Sequence, residues 1–266
     1  MKNTENSLAT SKASNLNINS EHGEQEHSKE SVDRKPLITV ITIVYNGKPY
    51  LEETILSIIS QTYDNVEYII IDGDSSDGTL EIIKKYDNQI DYWISEKDNG
   101  IYNAMNKGIN LAAGEWICMM NAGDIFYDNH VLENIFLSTI NADLIYSDTW
   151  MKNKGLFHCD ITTNRIVHQS LVYKKKLHEE VGLYLEYPKI TISDYIFFQQ
   201  CKDRTWYKTS FIISVFDPIG VSANLEHYKQ KVAVDIMFDT TSRFKGSMIL
   251  LLHPLYHKIK RLFSAK

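Results

Sequence analysis

The chain has 266 residues, of which 43% are hydrophobic and 23% charged, a composition typical of a soluble globular protein with a well-buried core. It contains no run of about 18 uncharged apolar residues and no apolar stretch near its start, so we expect neither an integral membrane protein nor a secretory signal peptide. The net charge is −6 and residues 241–266 alone carry +6. The rest of the chain therefore carries −12, which disfavours nucleic-acid binding because such binding depends on neutralising phosphates.

The predicted elements begin after a polar leader. Residues 1–35 contain no aromatic residue and many Ser, Asn, Glu and Lys residues, so we expect this leader to be disordered. Runs of β-branched residues then alternate with amphipathic segments, which predicts strands separated by helices. The predicted strands are 37–44, 66–71, 90–94, 115–120 and 142–146, and the predicted helices are 49–59, 77–86, 100–113 and 130–136.

This alternation predicts an α/β protein with one Rossmann-like domain, a mostly parallel central sheet and helices on both faces. The alternation is regular over residues 36–150 and irregular over 151–225. We treat 36–225 as one domain with these two halves. Residues 226–266 are predicted to form a helical basic tail.

Polar residues follow three of the predicted strands, at 45–47, 72–77 and 121–124. Ligands of open α/β sheets bind beyond the carboxyl ends of the strands. Tyr45 can stack on a base, Asp72 can accept hydrogen bonds from a nucleoside, and Asp124 can hold a divalent cation against a diphosphate. Each side chain alone is equally typical of packing, a turn or a helix cap. Together they predict a nucleotide-diphosphate site.

Two common nucleotide-binding motifs are missing from the sequence. The first strand is not followed by GxGxxG, which argues against a dinucleotide-binding protein, and the chain contains no GxxxxGK[ST]. Six strings instead resemble one family when taken in order. They are ITIVYNG at 41–47, IIDGDSSDGT at 70–79, DNGIYNAMNKG at 98–108, MNAGD at 120–124, HQS at 168–170 and SDY at 193–195. From about residue 37 to 222 the chain resembles the GT-A fold, inverting nucleotide-sugar glycosyltransferases of the large family two.

The resemblance implies a role for each matching residue. It assigns donor binding to the half at 36–150 and acceptor binding to the half at 151–225. The implied nucleotide-binding residues are Val44, Tyr45, Asn46, Asp72, Asp98 and Asn121. His168 and Gln169 would contact the acceptor or the diphosphate, Asp124 would bind Mn²⁺ or Mg²⁺, and Asp194 would be the catalytic base. His168 is equally typical of a structural histidine. Asp194 is also typical of a helix N-cap, but the role of base is favoured.

One motif departs from the family pattern. The family has several aspartates where this chain has Asn-Ala-Gly-Asp, so only Asp124 keeps a carboxylate. Fewer carboxylates imply weak metal binding without substrate, because the diphosphate must then supply most of the ligand charge.

The resemblance implies transfer of a hexosyl or N-acetylhexosaminyl group, with inversion, from a UDP-sugar to a hydroxyl of a glycan or lipid-linked acceptor. Capsule, exopolysaccharide or lipopolysaccharide synthesis is the expected setting. A nucleotidyltransferase and an inactive nucleotide- or carbohydrate-binding module are the alternatives. Three cysteines in no metal or disulfide pattern favour the cytoplasm. The basic, partly apolar tail is expected to bind the anionic inner face of the plasma membrane or to pack on the domain.

Overall fold

Strands and helices alternate along most of the chain. The computed structural model describes residues 20–24, 29–32, 34–137, 141–217, 225–238, 240–248 and 250. The strands are β1 (Glu21–Glu24), β2 (Ile38–Val44), β3 (Val66–Asp72), β4 (Tyr92–Ser95), β5 (Trp116–Met119), β6 (Ile125–Phe126), β7 (Leu144–Tyr146), β8 (Thr149–Met151), β9 (Gly155–Phe157), β10 (Leu171–Lys174), β11 (Trp206–Lys208) and β12 (Ser214–Phe216). The α-helices are α1 (Lys48–Ile59), α2 (Thr79–Lys85), α3 (Ile101–Leu111), α4 (Val131–Phe136), α5 (Lys176–Val181), α6 (Ser193–Gln200) and α7 (Leu225–Met237).

The main sheet has eight strands in the order β1-β4-β3-β2-β5-β10-β7-β11. Its middle strands, β4, β3, β2 and β5, are parallel, as the alternation predicted. Antiparallel pairing joins β1 to β4, and it joins β10 to both β5 and β7. The α/β fold class is therefore confirmed, and the parallel part of the sheet is its centre. A second sheet, β6-β12-β8-β9, takes β9 and β12 from the half predicted to be irregular.

Helices cover both faces of the main sheet and produce two apolar cores. Leu51 and Ile55 of α1 pack on one face, and Met105 and Ile109 of α3 pack on the other. Strand β2 is buried at all seven positions, as expected for a parallel strand covered on both sides. Each fully buried aliphatic side chain of this kind stabilises the fold by about 1.5–3 kcal/mol.

Part of the predicted disordered leader is ordered. Strand β1 pairs with β4 at the edge of the main sheet, from Glu21 opposite Ser95 to Glu24 opposite Tyr92. A side chain at Gly23 would place its Cβ 2.2 Å from the indole nitrogen of Trp93, so only glycine fits against this ring. Backbone pairing needs no apolar side chain, which is why the polar composition did not predict this strand. Residues 1–19, 25–28 and 33 of the leader lie outside the described part of the chain.

Helix α7 begins the predicted tail and packs on the domain. The Gln230 amide accepts from the backbone N–H of Thr191 at 3.0 Å, and Asn164 donates to Asp235 at 3.2 Å. Residues 251–266, which hold four of the eight Lys and Arg residues of the tail, are not among the described residues, so membrane binding by the tail stays a prediction. Within the described ranges, no helix combines the length and the apolar character needed to cross a bilayer.

Candidate active site

The loops after β2, β3 and β5 meet at one edge of the main sheet. The backbone N–H of Gly73 donates to the carbonyl of Val44 at 2.9 Å, and that of Ala122 donates to the carbonyl of Ile43 at 3.2 Å. Asn46 joins the first two loops, because its side-chain oxygen accepts from the Ser76 N–H at 2.9 Å. The polar residues that follow these three strands are therefore neighbours, as predicted from strand order.

Tyr45 and Asp98 both lie beside Gly73, and we call the surface between these two side chains the slot. Tyr45 is 69% exposed, which is unusual for so large a ring. A Cβ added to Gly73 would lie 2.6 Å from Oδ2 of Asp98 and 3.3 Å from the ring of Tyr45. Glycine at position 73 therefore keeps the ring and the carboxylate close together without filling the gap. The slot pairs a flat apolar surface with a hydrogen-bond acceptor.

Asp72, predicted to bind the nucleoside, is buried at the end of β3. Its carboxylate is fully buried and accepts hydrogen bonds from the Ser75 N–H at 3.1 Å, the Ser75 hydroxyl at 2.5 Å and the Ser95 hydroxyl at 2.6 Å. These contacts close the turn after β3 and tie it to β4. The structure therefore gives Asp72 a turn-closing role. Asp98 is the carboxylate beside Tyr45.

A cavity of about 560 Å³ lies next to this edge. Five of the predicted site residues line it, namely Asn121, Asp124, His168, Gln169 and Asp194. The other five predicted residues, Val44, Tyr45, Asn46, Asp72 and Asp98, lie on or after the neighbouring strand ends. The two halves of the predicted domain thus both contribute side chains to this cavity.

Asp124 lies in a tight turn after β5. Its backbone N–H donates to the Asn121 carbonyl at 2.9 Å, and Thr54 binds both the Gly123 N–H and the Asp124 carbonyl. Burial raises the pKa of Asp124 to about 7, although a hydrogen bond from Gln169 and the charge of Lys152 act in the opposite direction. This buried carboxylate therefore lacks a full counter-charge.

Two oxygen atoms of this turn fit a divalent cation. The side-chain oxygen of Asn121 is buried without a hydrogen-bond partner, and the Asp124 carboxylate lies in the same cavity. Oxygen ligands suit Mn²⁺ and Mg²⁺. Among the described residues, no group of three or more His, Cys, Asp or Glu side chains has the arrangement of a metal site. A cation held here would take its remaining ligands from a bound diphosphate.

Asp194 faces the cavity from the first turn of α6. The Tyr102 hydroxyl donates to its Oδ1 at 2.8 Å, and Nδ1 of His168 lies 3.5 Å from its Oδ2. Helix α6 is capped at Ile192 without a side-chain hydrogen bond, so Asp194 is not the N-cap of that helix. The carboxylate is held on one side by Tyr102 and is open to the cavity.

A family model described as glycosyl transferase family 2 matches residues 39–178, more than half of the chain. The chain belongs to glycosyl transferase family 2. A PGL/p-HBAD biosynthesis glycosyltransferase of Mycobacterium bovis is 29% identical over 162 residues, which are 56% of this chain and 63% of that protein. Glycosyltransferase GlyG of Streptococcus pneumoniae is 28% identical over 153 residues, which are 55% of this chain and 50% of that protein. The chain thus spans between half and two thirds of these relatives.

Solved glycosyltransferases share the fold. S. aureus TarS in complex with UDP-GlcNAc superposes with a TM-score of 0.63 at 16% identity, over 80% of this chain and 70% of that one. Mannosyltransferase PcManGT from Pyrobaculum calidifontis, in complex with GDP-Man and Mn²⁺, gives a TM-score of 0.62 at 15% identity, over 82% and 68%. The GT-A-type fold expected from the sequence is therefore confirmed.

The family-like string on α3 is hydrogen-bonded to the half at 151–225. Besides Tyr102, Asn106 exchanges two hydrogen bonds with the backbone of Tyr184, at 2.8 and 3.0 Å. Asn103 and Asn106 each donate to the carboxylate of Glu186 at 2.7 Å. These contacts fix the segment that leads into α6, and hence the position of Asp194.

Several cavity residues were missed by the sequence analysis. Lys152 on the β8–β9 turn lines the cavity, and so do His227 and Lys231 on α7. Lys231 is paired with Asp235 at 3.0 Å and Lys152 with Glu53 at 3.0 Å. No local motif marks these residues. The net positive charge of the tail was the one sequence feature that could have indicated basic residues at the site. Lys152 brings a positive charge near Asp124.

Proposed function

We propose that the protein is a metal-dependent, inverting glycosyltransferase that moves a sugar from a UDP-sugar to a hydroxyl of a glycan or lipid-linked acceptor. The observation that carries this proposal is the cavity that contains both Asp124 and Asp194. One carboxylate suits the diphosphate end of a donor and the other suits a proton acceptor for the incoming hydroxyl. Family membership and the sugar nucleotides bound by TarS and PcManGT support it.

The slot is proposed to bind the nucleoside. Tyr45 would stack on the base, and Asp98 would accept a hydrogen bond from a base N–H. Asn121 and Asp124 would hold the cation and the diphosphate at the next loop. When bound, the cation would stabilise the negative charge of the leaving diphosphate as a Lewis acid.

Asp194 is proposed to act as the general base. Inversion requires the acceptor oxygen to attack the anomeric carbon from the side opposite the leaving diphosphate. A carboxylate that faces the cavity can take the hydroxyl proton during that attack. The hydrogen bond from Tyr102 keeps Asp194 directed towards the cavity.

Thermal unfolding with ligands tests the proposal. We expect UDP with Mn²⁺ to raise the melting temperature more than either alone, because the cation takes most of its ligands from the diphosphate. At a ligand concentration of 100 times Kd, the gain corresponds to about 2.7 kcal/mol. Turnover with a panel of nucleotide sugars should release UDP. Release of pyrophosphate from UTP and a sugar phosphate would indicate a nucleotidyltransferase, and binding without turnover an inactive module.

The roles of Asp72 and Asp98 can be separated by two matched variants. We expect Asp98→Asn to weaken UDP binding by about 1.5–3 kcal/mol, the range for a hydrogen bond to a charged group, with little change in stability. Asp72→Asn replaces one of the two carboxylate oxygens that accept from Ser75 and Ser95 with an NH₂ donor, so we expect it to lower the free energy of unfolding by about 1–3 kcal/mol with near-normal affinity. Calorimetry and thermal unfolding measure both. A stable Asp72→Asn protein that no longer binds UDP would return nucleoside binding to Asp72.

A further inference from the structure

A line of buried polar side chains runs from Asp194 into the interior of the protein. It passes through His168, Tyr184, Tyr173 and His178 and ends at the carbonyl of Gly182. Behind the His168–Asp194 contact, the successive separations are 3.2 Å from His168 Nε2 to the Tyr184 hydroxyl, 2.9 Å between the two hydroxyls, 3.1 Å from Tyr173 to His178 Nε2 and 3.1 Å from His178 Nδ1 to Gly182. All four side chains are buried.

The direction of these hydrogen bonds follows from their inner end. A carbonyl oxygen only accepts, so Nδ1 of His178 must carry the proton that binds Gly182. Burial lowers the pKa of His178 to about 4, so the ring is neutral and its Nε2 accepts from Tyr173. The Tyr173 oxygen must then accept from Tyr184.

The same reasoning reaches His168. The Tyr184 hydroxyl gives its proton to Tyr173, so its oxygen accepts, and the donor is Nε2–H of His168. Burial also lowers the pKa of His168, so this ring is neutral and its Nδ1 carries only a lone pair. That lone pair faces the Oδ2 of Asp194 at 3.5 Å. Nδ1 of His168 and Oδ2 of Asp194 are therefore both acceptors, and a hydrogen bond between them requires an added proton.

From this geometry we infer that His168 is a positioning residue for the base, and that the Tyr184–Tyr173–His178 chain holds it in the Nε2–H tautomer. The inference rests on the proposed role of Asp194. As the acceptor oxygen bonds to the anomeric carbon, its O–H bond breaks and the diphosphate leaves with the electron pair of the bond it had to the sugar. The proton passes to the Asp194 carboxylate and is held in a hydrogen bond to Nδ1 of His168. It returns to solvent after the products leave.

Other groups face the same pair. Tyr102 from α3 donates to Asp194, and the Phe198 ring of α6 packs edge-on against His168. Asp124, His227 and Lys231 line the same cavity. None of these is the hydrogen-bond partner of His168 Nε2 in the described part of the chain. Tyr184 is therefore the residue whose hydroxyl sets the tautomer.

The test combines the full-length Tyr184→Phe variant with a matched control. Tyr184→Phe keeps the ring but removes the oxygen that accepts from Nε2–H, so the Nδ1–H tautomer, which donates to Asp194, becomes favoured. The control, Tyr68→Phe, also removes one buried hydroxyl. That hydroxyl is hydrogen-bonded to Thr42 at 3.1 Å and is not part of the chain behind His168. Histidine ¹⁵N NMR measures the tautomers, and His168→Asn identifies the His168 signals. Steady-state kinetics measures kcat and KM for the donor.

We expect His168 to carry its proton on Nε2 in the wild type and in Tyr68→Phe, and on Nδ1 in Tyr184→Phe. The kcat of Tyr184→Phe should fall by on the order of tenfold, less than the loss expected from removing a base, with an unchanged donor KM. Tyr173→Phe provides the same test one link further, because it frees the Tyr184 hydroxyl to donate to His168.

An Nδ1–H tautomer in the wild type overturns the inference. The inference also fails if His168 keeps the Nε2–H tautomer in both Tyr184→Phe and Tyr173→Phe. It fails as well if the tautomer switches in Tyr184→Phe but the kcat of that variant equals the kcat of Tyr68→Phe. The NMR measurement needs no donor. A wild-type protein that transfers no sugar therefore contradicts the proposed function, and a wrong tautomer contradicts this inference alone.

Discussion

Asp194→Asn is expected to lower kcat by on the order of 100- to 10,000-fold, the usual loss when a general base is removed. The amide keeps the size of the side chain and can still accept from Tyr102, so the fold and the cavity should be retained. Donor affinity should change little, because a base acts in the chemical step. Single-turnover rates, the Kd for UDP and the melting temperature of this variant separate these effects.

Asp160→Asn is the matched control for this experiment. Asp160 also accepts from local groups, the backbone and hydroxyl of Thr162 at 2.8 Å, but it begins a short 3₁₀ helix outside the cavity. We expect its turnover to stay within twofold of wild type, as the fold is otherwise unchanged. Transfer by Asp194→Asn at a rate close to that of Asp160→Asn would remove Asp194 from the mechanism.

Asp124→Asn is expected to make the ligand-free protein more stable at pH 8. Burial raises the pKa of Asp124 from 3.8 to about 7, so the folded state holds a proton that the unfolded state loses. Between pH 3.8 and pH 7 the free energy of unfolding of the wild type therefore falls as pH rises. Above pH 7 it is lowered by the full cost of the buried Asp124 charge. At about 1.4 kcal/mol per pKa unit, the gain in Asp124→Asn is up to about 4 kcal/mol at pH 8 and vanishes near pH 4.

The same variant should lose the metal-dependent part of UDP binding. An amide cannot supply the charge that holds a divalent cation, so Mn²⁺ should add nothing to the shift in melting temperature with UDP. Chemical unfolding at pH 8 and pH 4, and calorimetry with and without chelator, measure the two effects. Lower stability at pH 8, or an unchanged Mn²⁺ effect, would contradict the role given to Asp124.

Much of the half at 36–150 was predictable because its signals are local. The β-branched run at 37–44 forms β2, and the run from Val66 forms β3. The three polar strand ends adjoin one another because the strands are parallel neighbours. The ends of helix α3 lie within one or two residues of the predicted ends, because Gly100 and Gly114 flank its apolar segment.

Other features depend on contacts between distant residues. Asp72 and Asp98 are both acids near a strand end. The hydrogen bonds from Ser75 and Ser95 identify Asp72 as the turn-closing carboxylate, whereas Asp98 lies beside Tyr45. Tyr173, His178 and Tyr184 look like ordinary core residues in the sequence. Their order as a chain behind His168 arises from the packing of β10, α5 and the segment before α6.

Strand β1 has a consequence for any shortened form of the protein. The backbone of β4 is paired with β3 on one side and with β1 on the other. A chain that began at Pro36 would leave one side of β4 as a row of unpaired amide and carbonyl groups, which favours edge-to-edge association. The amides of β4 would exchange with solvent more rapidly. Because Asp98 follows this strand by three residues, removing the polar leader would also loosen one wall of the slot beside Tyr45.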